Sequence, residues 1–412
     1  MRARHTPGRT TARHRARRTA RRTALCAAVL LLATACGTQQ QARPDDDTRA
    51  ATPTGPATAR LHLAPRDGSE DVETSGELWV GVRGGTLTSV TVTDEDGRKV
   101  EGRLTRHRTR WEPLGHLDTA TAYTVTATAQ DPAGRTVTKR TSFTTVTPDE
   151  EFLATFTPED GSTVGVGMPV SLTFDHRITR RQEVEQAVTV TADPPVPVEG
   201  HWFGDTRLDL RPREYWKPGT KVTLSLRLRG VKGGDGLYGT QHKDVTFTIG
   251  RSQISVVDAK TKTMRVIRDG KTIRTLPVTT GAPATPTWNG VMVISEKHRV
   301  TRMNGATVGF GDAYDIPDVP HAMRLSTSGT FIHGNYWTPR STFGHGNVSH
   351  GCIGLFDKRG GGDRDTPAAW FYRNSLLGDV VEVRNAKDEV IAPDNGLNGW
   401  NMDWEEWTAE DH

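Results

Sequence analysis

Between about residues 58 and 250, apolar and polar side chains alternate with a period of two. Leu61-His62-Leu63, Leu87-Thr88-Ser89-Val90-Thr91-Val92, Tyr123-Thr124-Val125-Thr126-Ala127 and Val222-Thr223-Leu224-Ser225-Leu226 all show it. A strand turns successive side chains to opposite faces, so this period predicts half-buried β-strands. Asp67-Gly68, Asp96-Gly97 and Asp160-Gly161 punctuate them as turns. Beyond Ser252, Ile254-Ser255-Val256-Val257 and Met264-Arg265-Val266-Ile267 read as a hairpin, Asp269-Gly270 as the next turn, and Val380-Val381-Glu382-Val383 as a later strand. One helix is predicted to open at Pro367, because proline's fixed φ suits a first helical turn. The fold class is therefore mainly β.

A weak repeat divides the first strand-rich stretch. Pro65-Arg66-Asp67-Gly68-Ser69 recurs as Pro158-Glu159-Asp160-Gly161-Ser162, 93 residues on, and Thr141-Ser142-Phe143-Thr144 recurs as Val245-Thr246-Phe247-Thr248, 104 residues on. That interval is the size of an immunoglobulin-like sandwich. Two tandem sandwiches are predicted, at 58–147 and 148–250, followed by a β-rich domain at 251–386. A tail at 387–412 carries Trp400, Trp404 and Trp407, and is expected to pack on that third domain. Residues 36–57 are polar and rich in Pro, Thr and Ala, as a disordered tether would be, with a reach of roughly 25 Å.

Residues 1–35 change how composition is read. Nine arginines without an acidic residue precede a short apolar run from Ala24 to Ala33, then Ala33-Thr34-Ala35-Cys36. The order of basic, apolar and small residues describes an export signal, and the apolar run is too short to span a bilayer. Arg21-Arg22 leaves the export route, general or twin-arginine, open. Cys36 resembles the acylated cysteine of a bacterial lipoprotein signal, although Ala33 stands where leucine is usual. Two acyl chains there would hold the protein on the outer face of the membrane. Without the nine arginines the chain's formal charge changes from +4 to −5, so no nucleic-acid partner is expected. Cys26 would leave with the signal and Cys36 would be acylated. Cys352 then remains as a solitary thiol in an oxidising compartment, where structural cysteines normally pair.

The surroundings of Cys352 supply what a thiol nucleophile needs. Residues 331–355 place His333, His345 and His350 within twenty positions of it, and Gly351 beside it permits a tight turn. A nearby imidazole can take the thiol proton, and backbone N–H groups in such a turn can bind an oxyanion. His321, His333, His345, His350 and Cys352 lack the His-x₃-His or paired-Cys spacing of zinc sites. No metal or cofactor is expected.

His333, fifteen intervening residues and then Ser349-His350-Gly351-Cys352 resemble the signature of the L,D-transpeptidase (YkuD) catalytic domain. Pro277-Val278-Thr279-Thr280-Gly281 with Thr285-Pro286-Thr287-Trp288-Asn289-Gly290 is similar to that family's strand and turn. Two immunoglobulin-like domains, a catalytic domain and a Trp-rich tail resemble the mycobacterial type. The resemblance implies a cysteine acyltransferase of cell-wall biogenesis, a carbapenem target that forms 3→3 peptidoglycan crosslinks. Cys352 would attack a tetrapeptide donor stem, release D-alanine and carry the acyl group as a thioester. It also implies that His333 is the general base and acid, that the Gly334 carbonyl orients it, and that His350, Gly351 and Cys352 supply oxyanion N–H groups. Tyr314, Ser328, Gly329, Asn335, Ser349 and Gly354 would border the stem peptide. Gly354 departs from the family's usual Asn or Arg, so that contact is expected either to be missing or to be supplied by another residue, such as Asn335 or Asn347. The same thioester could instead serve an L,D-carboxypeptidase or an enzyme that anchors proteins to the wall. A non-catalytic wall-binding lipoprotein is the alternative of another class. A monomer is expected.

Overall fold

The structure is a computed structural model that describes residues 55–409 apart from 106 and 310. The export signal, Cys36 and most of the expected tether lie outside the described residues. Among those described, no helix is long and apolar enough to cross a membrane.

The first sandwich pairs two four-stranded sheets. One is ordered Arg60–Ala64, Trp79–Arg83, Arg110–Pro113, Gly102–Leu104, and the other Ser69–Val72, Thr136–Thr145, Ala122–Gln130, Thr86–Asp94. Alternation sets the core: Tyr123, Val125, Ala127 and Ala129 point inward from one strand and meet Leu87, Val92, Trp111 and Phe143. The second sandwich has its own core around Leu172, Leu208, Leu224 and Phe247. The sequence repeat has a physical cause. Asp67 Oδ1 accepts the Ser142 N–H at 2.7 Å, and Asp160 Oδ1 accepts the Thr246 N–H at 2.8 Å. In each sandwich one aspartate therefore ties its turn to the last long strand, and a short strand after the turn (Ser69–Val72, Thr163–Val164) runs parallel to it.

The third domain holds two sheets around one core. Five strands are ordered Lys271–Pro277, Thr263–Arg268, Gln253–Asp258, Val380–Arg384, Gly290–Val293, and four are ordered Glu296–Asn304, Asp315–Arg324, Phe331–Asn335, Ile353–Phe356. The helix spans Pro367–Asn374, with Pro367 in its first turn and the Thr366 hydroxyl accepting the Ala369 N–H. It buries Ala368, Ala369 and Phe371. The core between the sheets includes Val257, Met292, Met323, Ile332, Ile353 and Val381.

The tail departs from expectation. Its asparagines do bond the third domain: Asn398 accepts the Val293 N–H and donates to the Leu325 carbonyl, and Asn401 does both with Val291. Its tryptophans face the second sandwich instead. Arg211, 2% exposed, lies over Trp407 at 4.1 Å, Trp400 at 4.6 Å and Trp404 at 5.3 Å. Its guanidinium also donates to the carbonyls of Gly399 and Met402. A buried cation needs such π faces and carbonyls in place of water. Burial draws its pKa down to about 10, so it stays charged at neutral pH.

Candidate active site

Strands Phe331–Asn335 and Ile353–Phe356 run parallel, with Ile332 opposite Ile353 and His333 opposite Gly354. Opposed residues share a face, and so do residues two apart. Cys352, two positions before Gly354, therefore projects on the same face as His333. Gly354 has no side chain to intervene between them.

His333 is 4% exposed, and its Nδ1 donates to the Gly334 carbonyl at 3.0 Å. That bond fixes the tautomer and leaves Nε2 as the acceptor. Burial holds the imidazole below its ordinary range, so it rests neutral, and the Gly334 bond opposes this only in part. The Cys352 thiol is pushed up to about 11 by burial. Its sulfur lies 3.6 Å from the Gly329 carbonyl, among Met303, Val319, Ala322 and Phe331. The resting pair is thus a neutral thiol and a neutral imidazole. Nucleophilicity must come from proton transfer during attack.

The turn before the nucleophile is closed from within. Ser349 Oγ donates to the Cys352 carbonyl at 2.6 Å and accepts the Gly351 N–H at 3.2 Å. Gly351 has φ of +109°, a conformation that favours glycine. Two expectations change here. The Ser349 hydroxyl braces the turn rather than facing a stem peptide, and the Gly351 N–H already has an acceptor.

Asn335 and Gly354 also differ from expectation. The Asn335 amide closes a local loop, accepting the Thr338 N–H and donating to the Thr338 hydroxyl. Asn347 is likewise engaged, with the Thr280 N–H and the Ala259 carbonyl. Both amides are engaged within the fold. Gly354 bonds Thr279 in both directions, and a Cβ on it would come within 2.7 Å of Thr279 Cγ2. Glycine stands there because the neighbouring strand leaves no room for a side chain.

The remaining residues gather around the sulfur. Tyr314 packs on the Met303 cluster beside Cys352, its ring 5.2 Å from His350, which is exposed. Burial and the nearby thiol raise its phenol to about 12, so it stays protonated. Gly329 has φ of +95°, and a Cβ on it would meet Val308 at 2.5 Å. Asn395 of the tail holds Ser328, accepting its N–H at 2.9 Å and donating to its hydroxyl at 2.8 Å. His345 is exposed in its own turn. Sequence reasoning missed three neighbours. Trp337, 42% exposed, stacks on His333 with centroids 5.6 Å apart; its place four residues after His333 was the available signal. Asp357 lies against Gly334, and Asn395 comes from 67 residues beyond Ser328. Nothing local marks either. Among the described residues, no three His, Cys, Asp or Glu side chains converge as metal ligands.

Comparison with known proteins bears on the family. A family model described as a bacterial Ig domain matches residues 69–232, and one described as the L,D-transpeptidase catalytic domain matches residues 252–383. The chain is 32% identical over 395 residues to L,D-transpeptidase 2 of Mycobacterium tuberculosis, covering 93% of each. It is 33% identical over 364 residues to L,D-transpeptidase 5 of the same species, covering 86% of this chain and 77% of that one. A solved L,D-transpeptidase in complex with imipenem matches at 29% identity and a TM-score of 0.47, covering 56% of this chain and 97% of its own. With this identity sustained across nearly the whole of both chains, the protein belongs to the L,D-transpeptidase family.

Proposed function

We propose that the protein forms 3→3 crosslinks in peptidoglycan through a thioester on Cys352. The observation that carries this reading is the pairing of two neutral groups on one strand face. His333 is held in the tautomer whose Nε2 accepts, and desolvation pushes the half-buried Cys352 thiol up to about 11, so it rests protonated at neutral pH. His333 Nε2 takes the thiol proton as Sγ attacks the carbonyl at the L-centre of a donor stem's diaminopimelate. The carbon–nitrogen bond to the terminal D-alanine breaks, and the proton passes to the departing amine. An acceptor amine then attacks the thioester, gives a proton to His333 and releases the thiol. Because Ser349 already engages the Gly351 N–H, the N–H of Cys352 is the oxyanion donor that travels with the nucleophile.

Tyr314, Ser328, Gly329 and His350 would border the stem around the sulfur, with Tyr314 and His350 side by side. Cys36, acylated, would keep the enzyme on the outer face of the membrane, with the sandwiches between lipid and wall. The deciding experiment incubates the enzyme with a purified tetrapeptide muropeptide and analyses the products. A 3→3 dimer with free D-alanine is expected. A tripeptide would make the enzyme a carboxypeptidase, transfer onto a protein amine an anchoring enzyme, and no product would overturn the reading. Cys352→Ser and His333→Ala are each expected to lower turnover by about 10³-fold or more, with the fold retained by circular dichroism. His345→Ala should be mild.

A further inference from the structure

Behind His333, on the side away from Cys352, a second imidazole and a carboxylate are buried together. His321 Nδ1 and Asp357 Oδ2 are 2.7 Å apart, with the two residues 5% and 1% exposed. The other carboxylate oxygen accepts the Thr366 hydroxyl at 2.9 Å and the Lys358 N–H at 2.8 Å. Tyr372 lies against the His321 ring at 5.2 Å, and Gly361 lies beside it. His321 pays for this placement with φ of +50° inside a strand. A non-glycine residue persists in that conformation only where its surroundings over-determine it.

The carboxylate also presses on the residue that orients the proposed base. A Cβ on Gly334 would stand 2.2 Å from Asp357 Oδ2, so Gly334 is glycine because Asp357 is there. Gly334 is the residue whose carbonyl receives the His333 Nδ1–H. The Asp357 N–H extends the same strand pair by donating to the Asn335 carbonyl at 3.3 Å.

We infer that the Asp357–His321 pair, anchored by Thr366, is a positioning unit for His333 that acts through the Gly334 peptide. This rests on the reading of His333 as the base. The pair touches no reacting atom. It fixes the peptide plane on one side, so that the carbonyl on the other side points at Nδ1 and the imidazole stays aimed at Cys352. Groups that orient an active residue in this way typically affect activity by about 10- to 100-fold.

The test measures acylation of Cys352 by a carbapenem, with kcat and KM on a tetrapeptide stem, in the full chain. Asp357→Ala should lower acylation by about tenfold or more, through kcat with KM little changed. Asp357→Asn keeps the shape and the bonds to Thr366 and Lys358, and should recover most of the rate. His321→Asn suits the positive φ yet cannot reach Asp357, so it should behave like Asp357→Ala; if Asp357→Ala does not fold, His321→Asn decides alone. The specific readout is the ring N–H proton of His333 in nitrogen-labelled NMR spectra, which should shift or broaden in the impaired variants. Acylation within twofold of the parent in folded His321→Asn, or a loss with the His333 proton unmoved, overturns the inference. His333→Ala in the same assay separates the two ideas: if it acylates normally, the base assignment fails instead.

Discussion

Between the first and second sandwiches, the hydrogen bonds are made by side chains, although Gly230 also packs closely on the Leu117 carbonyl. Lys232 and Tyr238 both reach Glu73 at 2.7 Å, the Thr74 hydroxyl donates to the Gly230 carbonyl at 2.6 Å, and a cleft of about 1290 Å³ opens beside them. Between the second sandwich and the third domain, backbone meets backbone. The Gly165 N–H donates to Leu377 and the Gly167 N–H to Gly378. A Cβ on Gly165 would stand 2.3 Å from the Asp379 nitrogen, and one on Gly378 2.6 Å from Met168 Cβ. The tail closes this joint with the Arg211 stack and with Arg207, which donates to the Asp394 and Gly396 carbonyls on either side of Asn395. Asn395 in turn holds Ser328, whose neighbour Gly329 offers its carbonyl to the Cys352 thiol. The first joint can be altered without reaching the sulfur. The second is linked to the site through the tail: Arg207 holds the segment whose Asn395 holds Ser328, beside Gly329 and the sulfur.

The sharpest way to break that distinction is Gly378→Val. It combines φ of +84° with a collision against Met168 and Gly165, for a loss of about 2–6 kcal/mol in denaturant unfolding. Carbapenem acylation should fall with it, and unchanged acylation would detach the site from the joint. Arg211→Ala removes the aromatic stack and two carbonyl bonds, worth about 3 kcal/mol together. It should also slow acylation several-fold through Asn395, an effect that Asn395→Ala should reproduce without the stability loss.

The pH profile sharpens the comparison further. His333 is held below its usual value, so the neutral base persists as pH falls through 6.5 and acylation declines only below that. The same depression lowers stability on the acid side, because the unfolded chain takes up the proton first. Loosening the second joint in Arg211→Ala should let water reach His333 and move the acid limb of acylation toward 6.5. Glu73→Ala at the first joint should leave the limb in place and cost about 1 kcal/mol or less, seen as earlier unfolding of the first sandwich alone.

How much was legible follows from how far each feature reaches along the chain. The strands of both sandwiches, the hairpin after Ser252 and the helix at Pro367 rest on neighbours a few residues apart, and they were readable. The aspartate repeat was visible as letters before its hydrogen bonds gave it a cause. His333 and Cys352 were singled out from the motif around them, and the fold sets His333 on one strand and Cys352 just before the strand parallel to it. The residues misplaced from sequence were polar ones. Ser349, Asn335 and Asn347 have side chains able to meet a substrate, yet each is engaged within the fold, and only coordinates distinguish those states. The tryptophans of the tail gave an aromatic stripe but not its partner, because Arg211 lies nearly 200 residues earlier.

Local order determined the mainly β architecture, the tandem repeat and the segment that bears the nucleophile, because period, turn chemistry and motif spacing are short-range properties. Tertiary structure decided the rest: which imidazole beside the thiol is buried and neutral, why Gly334 and Gly354 lack side chains, and which sandwich the tail is tied to. Burial and hydrogen-bond partners depend on chain segments brought together from as far as 233 residues apart, as Trp400 and the Gly167 carbonyl show. Packing at that range leaves no periodic trace in either segment.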